Sequence, residues 1–262
     1  MELDFFRNIG EMLYKRISSS KPQFNKTSLG RGASGDMTFP IDKLAEDMII
    51  ESFEKEGFSF NIIAEERGTK ILKDNNFTLI IDPIDGSKNA VSGIPFFSTS
   101  IAITDGTELN SLKFGYIINL TNADEFYAQR DKGAFFNGEK IIPQENEKSI
   151  IVAFESSNPY SGIQKILPLF KIASRVRCYG STALDLAYLS IGAISIFVTA
   201  TPSRIFDFSA GILIAKESGA LIRDLDGKPI ETLPVKFDTK TTLLVCGNET
   251  LYSKAIKALG KE

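Results

Sequence analysis

The 262-residue chain contains no histidine. That absence removes Ser-His and Cys-His nucleophilic schemes and every histidine-ligated metal. It leaves carboxylates, lysine and hard, oxygen-bound cations as catalytic resources. Cysteine is nearly absent too, with only Cys178 and Cys246. Two thiols so far apart in sequence imply neither a disulfide scaffold nor a cysteine-based zinc site, and they fit a reducing compartment. Neither sign of charge dominates: 30 Lys and Arg against 33 Asp and Glu leave a net charge of -3. No polyanion-binding surface is expected, so nucleic acid is a poor partner. Long hydrophobic runs are also missing. IGAISIFVTA, residues 191–200, is too short to span a bilayer. The N-terminal MELDFFRNIGEMLYKRISSS mixes acids among its apolar residues and lacks the basic start and apolar centre of a signal peptide. A cytoplasmic protein without a membrane partner is expected. What the chain has in quantity is apolar residues, 43% of the total, enough for a large core in one big domain or two intimate ones.

Periodicity predicts a helix over 2–18, a polar glycine-rich loop over 19–39, and a helix from Pro40 to Glu56 stopped by Gly57. Short apolar runs at 60–66, 77–82, 98–104, 112–119 and 124–130 read as strands of a largely antiparallel sheet. The second part alternates, with strands at 149–154, 175–179, 193–199 and 241–247. Helices are expected at 163–170, 181–190, 206–218 and 249–259. A division into an N-terminal half, 1–145, and a C-terminal half, 146–262, follows.

Four features are candidates for chemistry. GRGASG, Gly30–Gly35, matches a dinucleotide fingerprint, but the preceding KPQFNKTSL is no buried strand, and a mobile loop is the better reading. IIDPIDGSKN, Ile80–Asn89, is the informative one. An apolar strand runs straight into Asp82, and Gly86–Ser87 suits a tight turn into a short helix. A D-x-x-D at a strand end is often a turn with solvated acids. Here the first carboxylate emerges from the core, where two ionised carboxylates repel and burial raises the cost. A divalent cation resolves both problems, and oxygen ligands without histidine favour Mg²⁺. The amides of Gly86 and Ser87, at a helix start, suit an anion. Either Glu65 or Glu66, ending the previous strand, could complete the site. Asp207 taken alone reads as an ordinary first-turn acid stabilised by the helix dipole.

Taken together, AEERG, IIDPIDGSKN and FDFSAG ahead of ESGALIRD resemble the inositol monophosphatase superfamily of Mg²⁺-dependent, lithium-sensitive phosphatases. The likeness runs nearly the whole chain, including GDMTFPIDKLAED and RDKGAFFNGEKI, and GIPFF looks most like the archaeal members. Those often hydrolyse both inositol 1-phosphate and fructose 1,6-bisphosphate. The resemblance implies a layered αβαβα sandwich with a largely antiparallel N-terminal sheet and a mixed C-terminal sheet. It implies two to three Mg²⁺ ions, with Mn²⁺ able to substitute. Glu65, Asp82 and the Ile84 carbonyl would hold the first ion, and Asp82, Asp85 and Asp207 the second. Ser87 with Asp42 would orient and deprotonate a water. The amides of Gly86 and Ser87 would hold phosphate. Gly180, Ser181 and Thr182 would line the leaving-group pocket, with Arg204 and Lys88 as candidate contacts, although Lys88 alone reads as a solvated surface lysine. A homodimer acting on a small sugar or inositol phosphate is implied.

The chain departs from the family pattern in four places. Ser87 replaces a threonine, Phe206 a tryptophan and Ala64 a glycine. Phe197–Arg204, FVTATPSR, has no acid where animal inositol phosphatases place a glutamate for inositol hydroxyls, so a strict inositol preference is not expected. DGSKN partly resembles the 3′-phosphoadenosine 5′-phosphate phosphatases, which gives an alternative substrate. A non-catalytic phosphate-binding regulator on the same fold is the rival class. It would be marked by a lost carboxylate, whereas Glu65, Asp82, Asp85 and Asp207 are all present.

Overall fold

A computed structural model describes residues 2–19, 27–72, 75–142 and 149–261. In chain order the N-terminal elements are α1 (Leu3–Ser18), β1 (Gly30–Arg31), β2 (Met37–Thr38), α2 (Pro40–Lys55), β3 (Asn61–Ala64), β4 (Gly68–Lys70), β5 (Thr78–Asp85), α3 (Ser87–Ser92), β6 (Ser98–Thr104), β7 (Leu112–Asn119), β8 (Glu125–Gln129), β9 (Gly133–Phe136) and β10 (Glu139–Lys140). There follow β11 (Ile151–Glu155), α4 (Pro159–Ile166), β12 (Arg175–Arg177), α5 (Thr182–Ser190), β13 (Ile196–Thr199), β14 (Ser203–Arg204), α6 (Ile205–Glu217), β15 (Leu221–Arg223), β16 (Lys240–Thr241), β17 (Leu244–Cys246) and α7 (Glu249–Leu259).

Eight strands form the first sheet in the order β10-β9-β8-β7-β6-β5-β3-β4. All its pairs are antiparallel except β3 with β5. The second sheet, β12-β11-β13-β17-β15, is mixed: β11 runs parallel to β12 and β13, and β17 runs antiparallel to its neighbours. Helices α1 and α2 cover one face of the first sheet, α5 and α6 fill the space between the sheets, and α7 packs outside the second. This is the expected αβαβα sandwich.

Burial explains the helices. On α1, Phe6, Ile9, Leu13 and Ile17 fall on one stripe and are all buried, the pattern of a helix with one dry face. On α6 every residue from Ile205 to Ala215 is buried, because sheets flank it on both sides. Gly115 of β7 lets that helix close in, since a Cβ there would lie 2.9 Å from the Ala210 carbonyl oxygen.

Several expectations shift. The 19–39 stretch was expected to be loop, yet β1 and β2 pair within it as a short hairpin. Its glycine-rich tip is docked rather than loose: Ala33 and Ser34 donate backbone bonds to the Glu66 and Glu65 carbonyls at 3.1 Å each. The helix expected at 163–170 begins earlier, at Pro159, and ends at Ile166. Pro168 lies in the tighter 3-10 turn Leu167–Lys171 that follows, since proline cannot donate the bond an α-helix interior needs. The short strands β4, β9, β10 and β15 have too few residues to show alternation and were not anticipated. The boundary expected at 145/146 lies outside the described residues, and one core cluster runs across it, joining Ile80 and Phe126 to Leu184 and Val245. Among the described residues no helix is long and apolar enough to cross a membrane.

Candidate active site

Strand β5 delivers the central carboxylates. It is buried throughout, and its register against β6 breaks between Asp82, opposite Ser100, and Asp85, opposite Ser98. Pro83 and Ile84 form that irregularity, where a residue without an N–H is tolerated. The Thr99 hydroxyl pins it by donating to the Pro83 carbonyl at 2.7 Å. Gly86 then turns the chain into α3 with φ +93°. A Cβ there would lie 3.0 Å from the Gly180 carbonyl oxygen and 3.1 Å from that of Phe96, so only glycine fits.

Asp82 is 1% exposed, and its Oδ1 has no hydrogen-bond partner. Burial, then the charges of Glu65, Asp85 and Asp207, push its pKa well above the ordinary value. Asp85 is better satisfied: its Oδ2 accepts from the Ser181 hydroxyl and the Ala183 amide, each at 2.6 Å. Burial still lifts it to about 7. Glu65, at the end of β3, is buried and likewise raised, chiefly by burial. Asp207 lies in the first turn of α6, where its Oδ2 accepts the Arg204 amide at 2.9 Å.

Asp42 holds the first turn of α2. Its Oδ2 accepts the Phe39 amide at 2.6 Å, and its Oδ1 accepts the Ser87 hydroxyl at 2.7 Å. The same hydroxyl lies 2.8 Å from the Ile84 carbonyl. Burial raises Asp42 to about 7. Residues from four separate segments thus converge: Asp42, Glu65, the 82–87 turn and Asp207. Glu65, Asp82, Asp85, Ser87 and Asp207, with Gly86, Lys88, Gly180, Thr182 and Arg204, line a cavity of about 750 Å³; Asp42 is buried behind Ser87 and meets the cavity only through that hydroxyl.

Two residues sit differently from expectation. Ser181 does not line the cavity; it caps α5 and donates to Asp85. Arg204 does not stand free in a leaving-group pocket. Its Nη2 lies 3.0 Å from both Glu65 Oε1 and Asp207 Oδ1, and its Nη1 lies 2.6 Å from Asp36 Oδ2. Burial would lower its pKa, but Asp207 and Glu65 hold it above the ordinary value. Among the described residues no three acidic, cysteine or histidine side chains are gathered into a ready metal cage, and Arg204 lies among the acids instead. An all-oxygen donor set with a buried, unpartnered Asp82 Oδ1 nonetheless fits a hard divalent cation.

Sequence reasoning missed several cavity residues. Lys240, Arg31 and Glu155 line the cavity; Arg31 lies inside GRGASG, and the other two belong to no motif. Asn89 closes IIDPIDGSKN; its Nδ2 donates to the Phe96 carbonyl at 2.8 Å and the Tyr179 carbonyl at 2.6 Å, tying α3 to the Gly180 segment. Its place inside the most specific motif was the available signal.

The profile of the inositol monophosphatase family matches residues 3–262. The chain belongs to the inositol monophosphatase family. It is an enzyme, a phosphatase. A fructose-1,6-bisphosphatase/inositol-1-monophosphatase of Archaeoglobus fulgidus is 31% identical over 261 residues, covering 97% of this chain and 96% of the relative. A bifunctional NADP phosphatase/NAD kinase of Methanococcus maripaludis is 32% identical, covering 87% of this chain but only 44% of that longer protein. Among solved structures, an IMPase of Thermotoga maritima superposes with a TM-score of 0.82 at 28% identity, covering 99% of this chain and 96% of that one. Family membership accounts for the layered fold.

Proposed function

We propose that the protein is a Mg²⁺-dependent phosphatase that hydrolyses small sugar and polyol phosphates, with inositol 1-phosphate and fructose 1,6-bisphosphate as substrates. The carrying observation is the buried Asp82, its Oδ1 unpartnered, among Glu65, Asp85 and Asp207 and beside the Ser87–Asp42 pair. Glu65, Asp82, the Ile84 carbonyl, Asp85 and Asp207 would hold two to three Mg²⁺ ions. Bound there, the ions supply positive charge against the transferring phosphoryl group and acidify water. Ser87 Oγ orients the attacking water and passes its proton to Asp42 Oδ1, whose raised pKa suits a base working near neutrality. The first-turn amides of a helix have no intrahelical acceptor, so those of Gly86 and Ser87 receive the phosphate. Water rather than a side chain attacks, and no phosphoenzyme forms. Thr182 and Gly180, facing the cavity, border the leaving group. The protein works in the cytoplasm as a homodimer on this reading.

The cavity is larger than a monosaccharide needs, and some relatives carry the name NADP phosphatase. A nucleotide phosphate is therefore the second reading, with 3′-phosphoadenosine 5′-phosphate or NADP⁺ as substrate. The test is a phosphate-release screen over inositol 1-phosphate, fructose 1,6-bisphosphate, 3′-phosphoadenosine 5′-phosphate and NADP⁺, with Mg²⁺ or EDTA. Release from the sugar phosphates that EDTA abolishes supports the first reading. Release from the nucleotides alone selects the second, and none from any substrate refutes both.

A further inference from the structure

Arg204 is held from three directions. Its backbone is fixed by the pairing of β14 with β16, where Arg204 faces Lys240, and by the amide bond to Asp207. Its side chain, 21% exposed, reaches Glu65 from β3, Asp207 from α6 and Asp36 from the β1–β2 hairpin. The guanidinium carbon lies 4.7 Å from the Phe206 ring centroid, so the fork also rests on an aromatic face. The hairpin that carries Asp36 and the segment that carries Glu65 also meet through backbone bonds from the hairpin tip and through the Thr38 hydroxyl, which donates to the Glu66 carboxylate.

Glu65 Oε1 and Asp207 Oδ1 share one Arg204 nitrogen, 3.0 Å from each, so a single guanidinium serves both carboxylates. A guanidinium supplies one unit of charge and a divalent cation two. Both seek the same lone pairs, and neither tolerates the other at full strength close by. Asp36 is different: its side chain is 69% exposed, solvated, and outside the buried acid cluster.

We propose that Arg204 is a tethered counter-ion. It neutralises Glu65 and Asp207 while no divalent cation is bound, and it yields them to an entering cation while keeping Asp36. Arg204 is thereby a positioning residue that sets how tightly the site takes its cation. The inference rests on the reading of these carboxylates as a cation site. It explains how four buried acids persist in a folded protein before a cation arrives, and it predicts that this preparedness lowers cation affinity.

The experiment combines calorimetric Mg²⁺ titration with thermal unfolding in EDTA and in saturating Mg²⁺, on wild type, Arg204→Gln, Arg204→Lys, Asp36→Ala, the Asp36→Ala/Arg204→Gln double variant and Asp82→Asn. Arg204→Gln should bind Mg²⁺ about tenfold more tightly, as expected for removing a unit charge several ångström from a divalent ion. It should melt several degrees lower in EDTA, and the deficit should close in Mg²⁺. Arg204→Lys, keeping the charge, should bind Mg²⁺ within about threefold of wild type. Asp36→Ala, at an exposed position safe for folding, should weaken Mg²⁺ binding in the wild-type background and change nothing in Arg204→Gln. Should Arg204→Gln not fold, Arg204→Lys and Asp36→Ala still decide: unchanged affinity in Asp36→Ala overturns the proposal. A purely structural Arg204 would lower melting equally with and without Mg²⁺ and leave affinity unchanged, which also overturns it. In that case Asp82→Asn would still abolish binding, and the cation site would stand. If Asp82→Asn binds Mg²⁺ as wild type does, the reading of the site falls, and the counter-ion role with it.

Discussion

Ser87 and Asp42 are separated by 45 positions in the chain, and their Oγ and Oδ1 atoms lie 2.7 Å apart. Each is fixed by something other than the pair. Asp42 is held by the Phe39 amide, and Ser87 by its place after Gly86 at the head of α3. On the proposed reading, a hydroxyl and a raised carboxyl oriented in this way would form a proton path.

Ser87→Ala and Asp42→Asn should each lower kcat by about a hundredfold or more, the range for general acid–base groups. KM should change little. Because the two act as a unit, the double variant should be little worse than either single one. Steady-state kinetics at saturating Mg²⁺ on four proteins decide it; multiplicative losses would mean that the residues work separately.

Asp82→Asn should cost roughly a thousandfold or more in kcat through lost charge stabilisation. In EDTA the same variant should melt above wild type. The substitution removes a carboxyl whose ionisation burial and neighbouring acids oppose and whose Oδ1 lacks a partner, and it places amide donors among acids. A lower melting temperature in EDTA would contradict the burial argument.

The pH dependence of the cation-free protein follows from its buried, raised carboxyls, Asp42, Glu46 and Asp85 among them. Burial lifts Asp42, Glu46 and Asp85 to about 7, against about 4 when unfolded. Between those values the folded state binds more protons than the unfolded state, so stability falls as pH rises. The stabilisation is complete below about pH 4 and is lost through pH 7. Melting temperature in EDTA should therefore decline from pH 5 to 8. A flat or rising curve would mean that these acids are ionised at little cost.

Gly86→Ala should destabilise by about 1–3 kcal/mol, the cost of a non-glycine residue held at positive φ. Here the contacts a Cβ would meet include the carbonyl oxygens of Gly180 and Phe96, which cannot rotate away. Urea unfolding measures it.

With Arg204 facing Glu65, Asp207 and Asp36, and on the proposal above keeping Asp36 once a cation enters, a remote phosphate needs another cation. Lys240, exposed on β16 and lining the cavity, is the candidate. Lys240→Ala should reduce kcat/KM for fructose 1,6-bisphosphate about tenfold and for inositol 1-phosphate by less than about twofold, since charge-assisted bonds to phosphate are strong. Equal losses on both substrates would remove Lys240 from that role.

Much of this was legible in the sequence. The stripe of α1, the strands β5 to β8 and the span of α7 were visible because each is long enough for its period to repeat. The acids of the site were legible because IIDPIDGSKN is dense in unusual choices, and the family resemblance carried in Glu65 and Asp207. What escaped has physical reasons. Two-residue strands such as β14 and β16 have no period, so the pairing that sets Lys240 beside Arg204 left no trace. Arg204 sits three positions before Asp207, yet nothing local announces that its fork also reaches Glu65 and Asp36. Ser181 looked like a pocket residue by its motif, and only its burial turns it toward Asp85.

The placement of α6 has a consequence for the order of events at the ribosome. The strands of the eight-stranded sheet are complete once residue 140 has been made. The helix that covers their inner face ends at Glu217. Until that stretch leaves the exit tunnel, Ile80, Ile117 and Phe126 face water or a chaperone. Nascent chains arrested before α6 should therefore be far more prone to aggregate than those released after it.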